Sequence, residues 1–307
     1  MNIIFLMDPL EGIIPDKDTS YKLMLEAESR GFNVYYCDKY GIARFEEKLR
    51  FHVNKVVSNK TDNQLFDVAD KTILTEDDID IVFIRTDPPF DDIYLYHTWM
   101  LDLLPSRVKV VNSPRGIRTM NEKIWLSRFQ SLVPPTVITS QRNDIIEFIK
   151  TYKTIVMKPT NGYGGQEVYV VQEDSMNLNV IIETITKYET SPIIVQQYIK
   201  EAEIGDKRIL LLNGEPLGAV LRVHSEIDHR NNFFAGGHAE KTTITENDKK
   251  IISIIQPYIK ELGLFFVGID IIGDYLIEIN VTSPTCLQEM NRLNNETLEK
   301  KIFDALI

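Results

Sequence analysis

The stretch GLFFVGIDIIGDYLIEINVTSPT, residues 263–285, sets the reading of the whole chain. Two apolar, β-branched runs flank Gly273-Asp274, a dipeptide suited to a tight turn, so the segment predicts a β-hairpin. Into these runs are set Asp270, Glu278 and Asn280. A carboxylate inside so apolar a strand is costly unless it is paired or metal-bound. Two anionic oxygens and a carboxamide carbonyl make a hard donor set of the kind that holds Mg²⁺ against a polyphosphate. The plainer alternative is a pair of solvated charges on a sheet surface. Alternation puts Glu278 and Asn280 on one face and Ile277, Ile279 and Val281 on the other. A two-residue loop would set Asp270 opposite Ile277 and away from Glu278, so metal binding predicts a loop of odd length.

A polyphosphate also needs cations and exposed amides. Upstream, KPTNGYGG at 158–165 ends one strand-like run, TIVMKP, and precedes another, EVYVV. With Gly162, Gly164 and Gly165 around Tyr163, backbone can approach a phosphate closely and offer free N–H groups as an anion nest, with Lys158 beside it. An ordinary hairpin turn is the alternative. The strand-loop-strand setting departs from GxxxxGK[ST], and no GxGxxG follows the first strand, so neither a Walker nor a Rossmann dinucleotide site is indicated. Lys123, Arg208 and Arg222 are further candidate cations, of value only if the fold converges them.

Outward from these motifs the chain divides in two. Beyond Thr136, the runs IIVQQYI and RILLLNGEPLGAVLRV, with an Asn213-Gly214 turn, read as antiparallel strands interrupted by helices near 177–188 and 246–261. The later helix shows a stripe of Ile251, Ile254, Ile255, Tyr258, Ile259 and Leu262, with a kink expected at Pro257. Up to about residue 112, strands at Ile3–Leu6, Phe32–Tyr36, Ile81–Ile84 and Val108–Val111 alternate with helical stretches such as Tyr21–Arg30, which predicts a parallel sheet. Ligands of such sheets gather at the carboxyl ends of strands, where MDPLEG and RTDPPFDD sit. Ser113-Pro114 is a cap followed by a first-position proline, and the helix it opens is expected to continue through NEKIWLSRF to Pro134-Pro135. His224 to Glu240 is long and unpatterned, as functional lids are.

Composition excludes several classes. With 34 Lys+Arg and 45 Asp+Glu the formal charge is 34 − 45 = −11, a field that repels nucleic acid and anionic membranes. The longest apolar stretch, 262–272, is interrupted by Asp270 and too short to span a bilayer, and the amino terminus reads as a strand rather than a signal peptide. Cys37 and Cys286 cannot build a disulfide framework and are too far apart for a zinc cluster, which points to a reducing cytosol, with Cys286 structural. His224, His229 and His238 are spaced by five and nine and match no metal motif.

Taken in order, these segments resemble the ATP-grasp ligases, and within them the bacterial glutathione synthetases, from end to end. The likeness is carried by MDP (7–9), RTDPPFD (85–91), NEK (121–123), KPTNGYGG (158–165), QQYI (196–199), GDKRILLLNGEP (205–216), AGG (235–237) and the 263–285 stretch. DPPFD, GDKR and INVTSPT are the most specific. The resemblance implies mixed α/β and α+β architecture: a Rossmann-like parallel-sheet (pre-ATP-grasp) domain, 1–121, then a two-subdomain ATP-grasp fold, 122–307, with a lid at about 224–240. It implies ATP clasped between the subdomains, with Lys123 and Lys158 on its phosphates and Gly162, Tyr163, Gly164 and Gly165 closing over them. Gln197, Tyr198 and Ile199 would read adenine, and Glu203 or Asp206 would take the ribose hydroxyls. Asp270, Glu278 and Asn280 match Mg²⁺ (or Mn²⁺) ligands. Arg208 and Arg222 match the arginines facing the transferred phosphoryl group and the acyl phosphate, and Arg230 matches that of the lid. Arg85 and Ser283 are expected to help hold the peptide substrate.

The reaction so implied joins γ-glutamylcysteine to glycine through an acyl phosphate, with ATP as the energy source, in a cytoplasmic homo-oligomer. A sibling ATP-grasp ligase with another acceptor amine is one alternative. A non-catalytic nucleotide sensor on the same scaffold is another, but it predicts a missing metal ligand or phosphate cation, and Asp270, Glu278, Asn280, Lys123 and Lys158 are all present. Thr86 stands where family members carry lysine, Glu226, Ile227 and Asn231 replace lid glycines, and His238 replaces an arginine. These departures bear on lid motion and substrate affinity.

Overall fold

The computed structural model describes residues 1–61, 64–224 and 237–307. Strands β1 (Asn2–Met7), β2 (Asn33–Phe45), β3 (Lys48–Thr61), β4 (Gln64–Thr75), β5 (Ile81–Arg85) and β6 (Lys109–Val111) form one sheet in the order β4-β3-β2-β1-β5-β6. As the alternating pattern predicts, β2, β1, β5 and β6 run parallel. The antiparallel strands β3 and β4, absent from the sequence reading, extend the sheet beyond β2. Helix α1 (Thr19–Ser29) starts at Asp18, whose carboxylate accepts from Tyr21 N–H at 2.7 Å, and α2 (Asp92–Leu101) starts at Asp91, which caps Tyr94 N–H at 2.9 Å. Both N-termini follow the carboxyl ends of strands, β1 and β5.

Helix α3 (Pro114–Thr119) begins as expected, Ser113 Oγ accepting from Gly116 N–H at 3.3 Å with Pro114 in the first turn. It does not continue through NEKIWLSRF. The Asn121 side chain accepts from the N–H groups of Lys123 (3.0 Å) and Ile124 (2.7 Å), a local alternative to the helix ladder that restarts the chain as a separate 3₁₀ turn over Ile124–Arg128.

A second sheet, ordered β7-β10-β8-β9, is antiparallel throughout: β7 (Thr136–Thr139), β8 (Thr154–Pro159), β9 (Tyr169–Gln172) and β10 (Ile193–Gln197). Helices α4 (Arg142–Tyr152) and α5 (Leu178–Ile185) cover it through Ile145, Ile149 and Ile182, which pack on Ile155, Met157 and Val195. The third sheet, ordered β13-β12-β11-β14-β15, is also antiparallel: β11 (Asp206–Leu212), β12 (Glu215–Val223), β13 (His238–Glu240), β14 (Phe266–Ile272) and β15 (Tyr275–Asn280). Helix α6 (Glu246–Glu261) runs unbroken through Pro257 and buries Ile251, Ile252, Ile255 and Ile259. Ile254 and Tyr258, placed on the buried stripe by periodicity, are exposed (36% and 39%). Helices α7 (Leu287–Asn294) and α8 (Leu298–Leu306) end the chain's described fold.

The first and third sheets share one core, in which Ile4, Leu6 and Ile84 belong with Val267, Ile269 and Ile279. A buried polar link crosses it: Asn112 donates from Nδ2 to the carbonyls of Phe266 (2.7 Å) and Val281 (2.8 Å) and accepts from Phe266 N–H at Oδ1 (2.7 Å). Among the described residues, no helix is long and apolar enough to cross a membrane.

Candidate active site

The decisive hairpin pairs Ile272 with Tyr275 across Gly273-Asp274, so its loop has two residues and the expected odd-length loop is not found. A β-bulge does the same work. Register shifts by one between Asp270 and Ile271, pairing Ile271 with Leu276 and Asp270 with Glu278. The extra residue is Ile277, which lines the same cavity as Glu278 instead of facing away from it.

That cavity, about 320 Å³, is lined by the second and third sheets and by residues of 87–88 and 282–285. Its cations come from four places. Lys158 closes β8 and Lys123 precedes the 3₁₀ turn, while Arg208 and Arg222 project from β11 and β12. Sheet register explains the convergence. Arg208 lies opposite Asp270 on β14, and Asp206, two residues away on the same face of β11, lies opposite Arg222.

These cross-strand neighbours form a buried ionic knot. Arg208 grips Asp270 with two N–H groups, Nη2 donating to Oδ2 at 2.8 Å. Arg222 grips Asp206 likewise, at 2.6 Å through Nε and 2.6 Å through Nη2, and its Nη2 also lies 2.9 Å from Asp270 Oδ2. Burial opposes ionisation of Asp270, yet Arg208 and Arg222 hold its carboxyl well below the ordinary carboxylate range. Asn280 Nδ2 approaches the same carboxylate at 3.4 Å. Lys123 Nζ donates to the Gly162 carbonyl at 2.6 Å and pairs with Glu278 Oε1, joining the glycine loop to the hairpin. In that loop Gly164 (φ +59°) and Gly165 (φ +71°) take left-handed backbone, and a Cβ on Gly162 would meet Pro159 Cγ at 2.5 Å, so the nest requires glycine.

Lys158 differs from the other cations. Among the described residues its Nζ reaches only a neutral partner, Gln196 Oε1 at 3.3 Å, and burial pushes its pKa down to about 8 against the pull of Glu278 and Asp270. A phosphate contact needs the charged form, so ADP affinity is expected to fall about tenfold between roughly pH 7 and 9, with proton uptake on binding. Calorimetry in buffers of different ionisation enthalpy reads both quantities. A flat profile would remove Lys158 from the phosphate site, and Lys158→Arg is expected to flatten it.

Of the residues singled out from sequence, Lys123, Lys158, Gly162, Tyr163, Gly164, Gly165, Gln197, Tyr198, Ile199, Asp206, Arg208, Arg222, Asp270, Glu278, Asn280 and Ser283 all line this one cavity. Glu203 is exposed beside the lining residue Ala202 and Arg85 stands behind the wall; neither lines the cavity. Arg85 is 5% exposed and donates to Ser20 Oγ (2.9 Å) and to the Pro284 carbonyl (3.1 Å). Arg230, and most of the expected lid, lie outside the described residues.

Sequence reasoning passed over Glu122 and Asp87. Glu122 Oε1 accepts from the N–H groups of Val281 (2.8 Å) and Thr282 (3.1 Å) and from Thr282 Oγ1 (2.9 Å), so it fixes the chain just after Asn280. Asp87 lies in the RTDPPFDD segment already marked as a strand end, which was the available signal. The apolar lining Val156, Val170 and Ile277 was also missed.

Asp270, Glu278 and Asn280 offer the oxygen donors a Mg²⁺ ion takes and fit it, provided phosphate oxygens complete the shell. Among the described residues, no group of three or more His, Cys, Asp or Glu side chains is arranged to hold a metal by itself.

Comparison with known proteins agrees with the geometry. The family model for the prokaryotic glutathione synthetase N-terminal domain matches residues 1–118, and that for the prokaryotic glutathione synthetase ATP-grasp domain matches 122–295. The glutathione synthetase of Gloeobacter violaceus is 39% identical, covering 100% of this chain and 97% of that protein. That of Synechococcus elongatus is 37% identical, covering 100% and 98%. Among solved structures, D-cycloserine synthetase superposes with a TM-score of 0.67 over 99% of this chain and 100% of that one, at 13% identity, which shows a shared fold. The chain belongs to the prokaryotic glutathione synthetase family, ATP-dependent ligases that make glutathione.

Proposed function

We propose that this cavity performs the ligation with the residues named above in distinct roles, and that residues 1–121 and 122–307 are the chain's two domains. The observation that carries the proposal is the convergence of Lys123, Lys158, Arg208, Arg222, Asp270 and Glu278 in one cavity beside a glycine nest. The flat lining of Val156, Val170 and Ile277 suits an adenine ring, with Gln197, Tyr198 and Ile199 at its edge and Asp206 or Glu203 near the ribose. Lys123, Lys158 and the amides of Gly162 to Gly165 take the phosphates. Mg²⁺, or Mn²⁺, held by Asp270, Glu278 and Asn280 would neutralise charge on the phosphate oxygens.

The terminal carboxylate of γ-glutamylcysteine attacks the γ-phosphorus and ADP leaves. Such transfer is catalysed mainly by position and charge, which Arg208 and Lys158 supply. Glycine's amine, having lost its ammonium proton, attacks the acyl carbon. Arg222 stabilises the tetrahedral oxyanion, and phosphate departs as the amide forms. Ser283 faces the peptide substrate, and Arg85 contributes through the Pro284 carbonyl that it holds. Arg230, on the lid, would help exclude water from the acyl phosphate. A cytoplasmic homo-oligomer completes the proposal.

ADP release with Mg²⁺ and ATP is expected only when γ-glutamylcysteine and glycine are supplied together, with a product of glutathione's mass. Release that required a different acceptor amine would leave the ATP-grasp chemistry standing and sink the substrate assignment.

A further inference from the structure

Five carboxylates line the cavity, and four have their charge or their oxygens taken up. Asp206 and Asp270 are gripped by arginines, Glu278 by Lys123, and Glu122 by the amides of Val281 and Thr282. Asp87 is the exception. Among the described residues it forms no ion pair; Ser283 Oγ donates to its Oδ1 at 2.5 Å and Oδ2 has no such partner. Its main-chain N–H donates to Asp8 Oδ2 at 2.7 Å, which fixes where the side chain starts. Arg85, whose charge is felt by Asp87, donates from Nε to Ser20 and from Nη2 to the Pro284 carbonyl, and its Nη1 has no hydrogen-bond partner among the described residues.

Asp87 is accessible from the cavity, not packed away from it. Its recess within the protein pushes its carboxyl up; the hydrogen bond from Ser283 and the charge of Arg85 oppose that push, and the charges of Asp8 and Asp18 add to it. The cavity's cations, Lys123, Lys158, Arg208 and Arg222, are directed to Glu278, Gln196, Asp270 and Asp206, and among the described residues none of them pairs with Asp87. A carboxylate held in place by a hydroxyl, open on one oxygen and lacking a cation, is complementary to a primary ammonium. ATP has no such group. Each of the two amino-acid reactants has one.

We propose that Asp87, oriented by Ser283, is the ammonium-recognising residue for an amino-acid substrate of this ligase. The proposal rests on placing the reaction in this cavity. That premise fails separately, if Lys158→Ala leaves ADP affinity unchanged.

The test uses the full chain and its Asp87→Asn variant, which keeps the shape and removes the charge. KM and kcat are measured for γ-glutamylcysteine, for glutarylcysteine (the same donor without its ammonium) and for glycine, and ADP affinity is measured by calorimetry. A charge-assisted contact of this kind corresponds to roughly a 10- to 100-fold change. If the donor's ammonium is read, wild type prefers γ-glutamylcysteine over glutarylcysteine by that factor and Asp87→Asn loses the preference, with KM for glycine unmoved. If the acceptor's ammonium is read, the preference survives and KM for glycine rises by that factor. Either result supports the proposal and names the source. Ser283→Ala, which leaves the carboxylate but frees its rotation, is expected to move the same parameter less. With ADP affinity intact, an unchanged donor preference together with an unchanged KM for glycine overturns the proposal. Loss of ADP affinity in Asp87→Asn would overturn it too, by making Asp87 part of the general architecture.

Discussion

Asp270→Ala is expected to cost about 3–5 kcal/mol of stability and to abolish measurable ligation. The stability loss follows from what is left behind. Arg208 and Arg222 are 5% and 6% exposed, and both direct N–H groups at this carboxylate. Without it, two buried guanidiniums face each other with only Asp206 between them. The activity loss has a separate origin, since the same carboxylate is the central donor of the proposed metal set. A fall of about 10³-fold or more in kcat/KM corresponds to about 4 kcal/mol of transition-state stabilisation. Asp270→Asn separates the two effects, because the carboxamide can still accept hydrogen bonds from Arg208 while offering the metal no charge. It is expected to recover much of the stability and little of the activity. Urea titration followed by ADP-release assays reads both. An active Asp270→Asn enzyme would sink the role given to this residue.

The second large effect belongs to Asn112, which touches no lining residue yet fastens the first sheet to the third. Asn112→Ala removes one acceptor and one amide that together satisfy Phe266 N–H, Phe266 C=O and Val281 C=O in the shared core. A buried backbone group left unsatisfied costs about 1–3 kcal/mol, so a loss of about 3 kcal/mol or more is expected in urea or thermal unfolding. Because Val281 directly follows Asn280, the variant is also expected to weaken nucleotide binding at temperatures well below its unfolding midpoint. A loss under about 1 kcal/mol would mean that water or a rearranged backbone replaces the carboxamide.

The hairpin of β14 and β15 was legible because Asp270, Glu278 and Asn280 interrupt apolar runs that have no other reason to admit them. The glycine loop was legible for the same kind of reason: its composition is constrained by close approach. What composition does not mark is the bulge at Ile277, since one inserted residue leaves the same letters in the same order and changes only their partners. The break at Asn121 is a similar case, where a side chain's capture of two N–H groups overrides a good helical pattern. β3 was within reach, for Leu49, Phe51 and Val53 alternate and are buried, but charged and polar residues between them obscured the period. Glu122 was out of reach, because its partner Thr282 lies 160 positions away, and Asp87 was marked only by its strand-end segment, its partner Ser283 lying 196 positions away. Arg85 shows a different limit: a motif arginine next to a strand end reads as facing the ligand, whereas the fold sets it behind the cavity wall, on Ser20 and the Pro284 carbonyl.

The ionic knot and the Lys123–Glu278 pair bear on how guests enter the site. Each carboxylate proposed to bind metal already has a side-chain cation against it, so the protein carries its own counter-ions. A lone divalent ion must evict arginine or lysine, leaving that cation buried beside it. A polyphosphate arriving alone must draw the same cations off their carboxylates, leaving those exposed to one another. When nucleotide and metal arrive together, every displaced partner finds a new one: phosphate for the cations, metal for the carboxylates. Binding is then an exchange of ion pairs with little net change in charge, which favours the joint arrival of the two guests over either one singly.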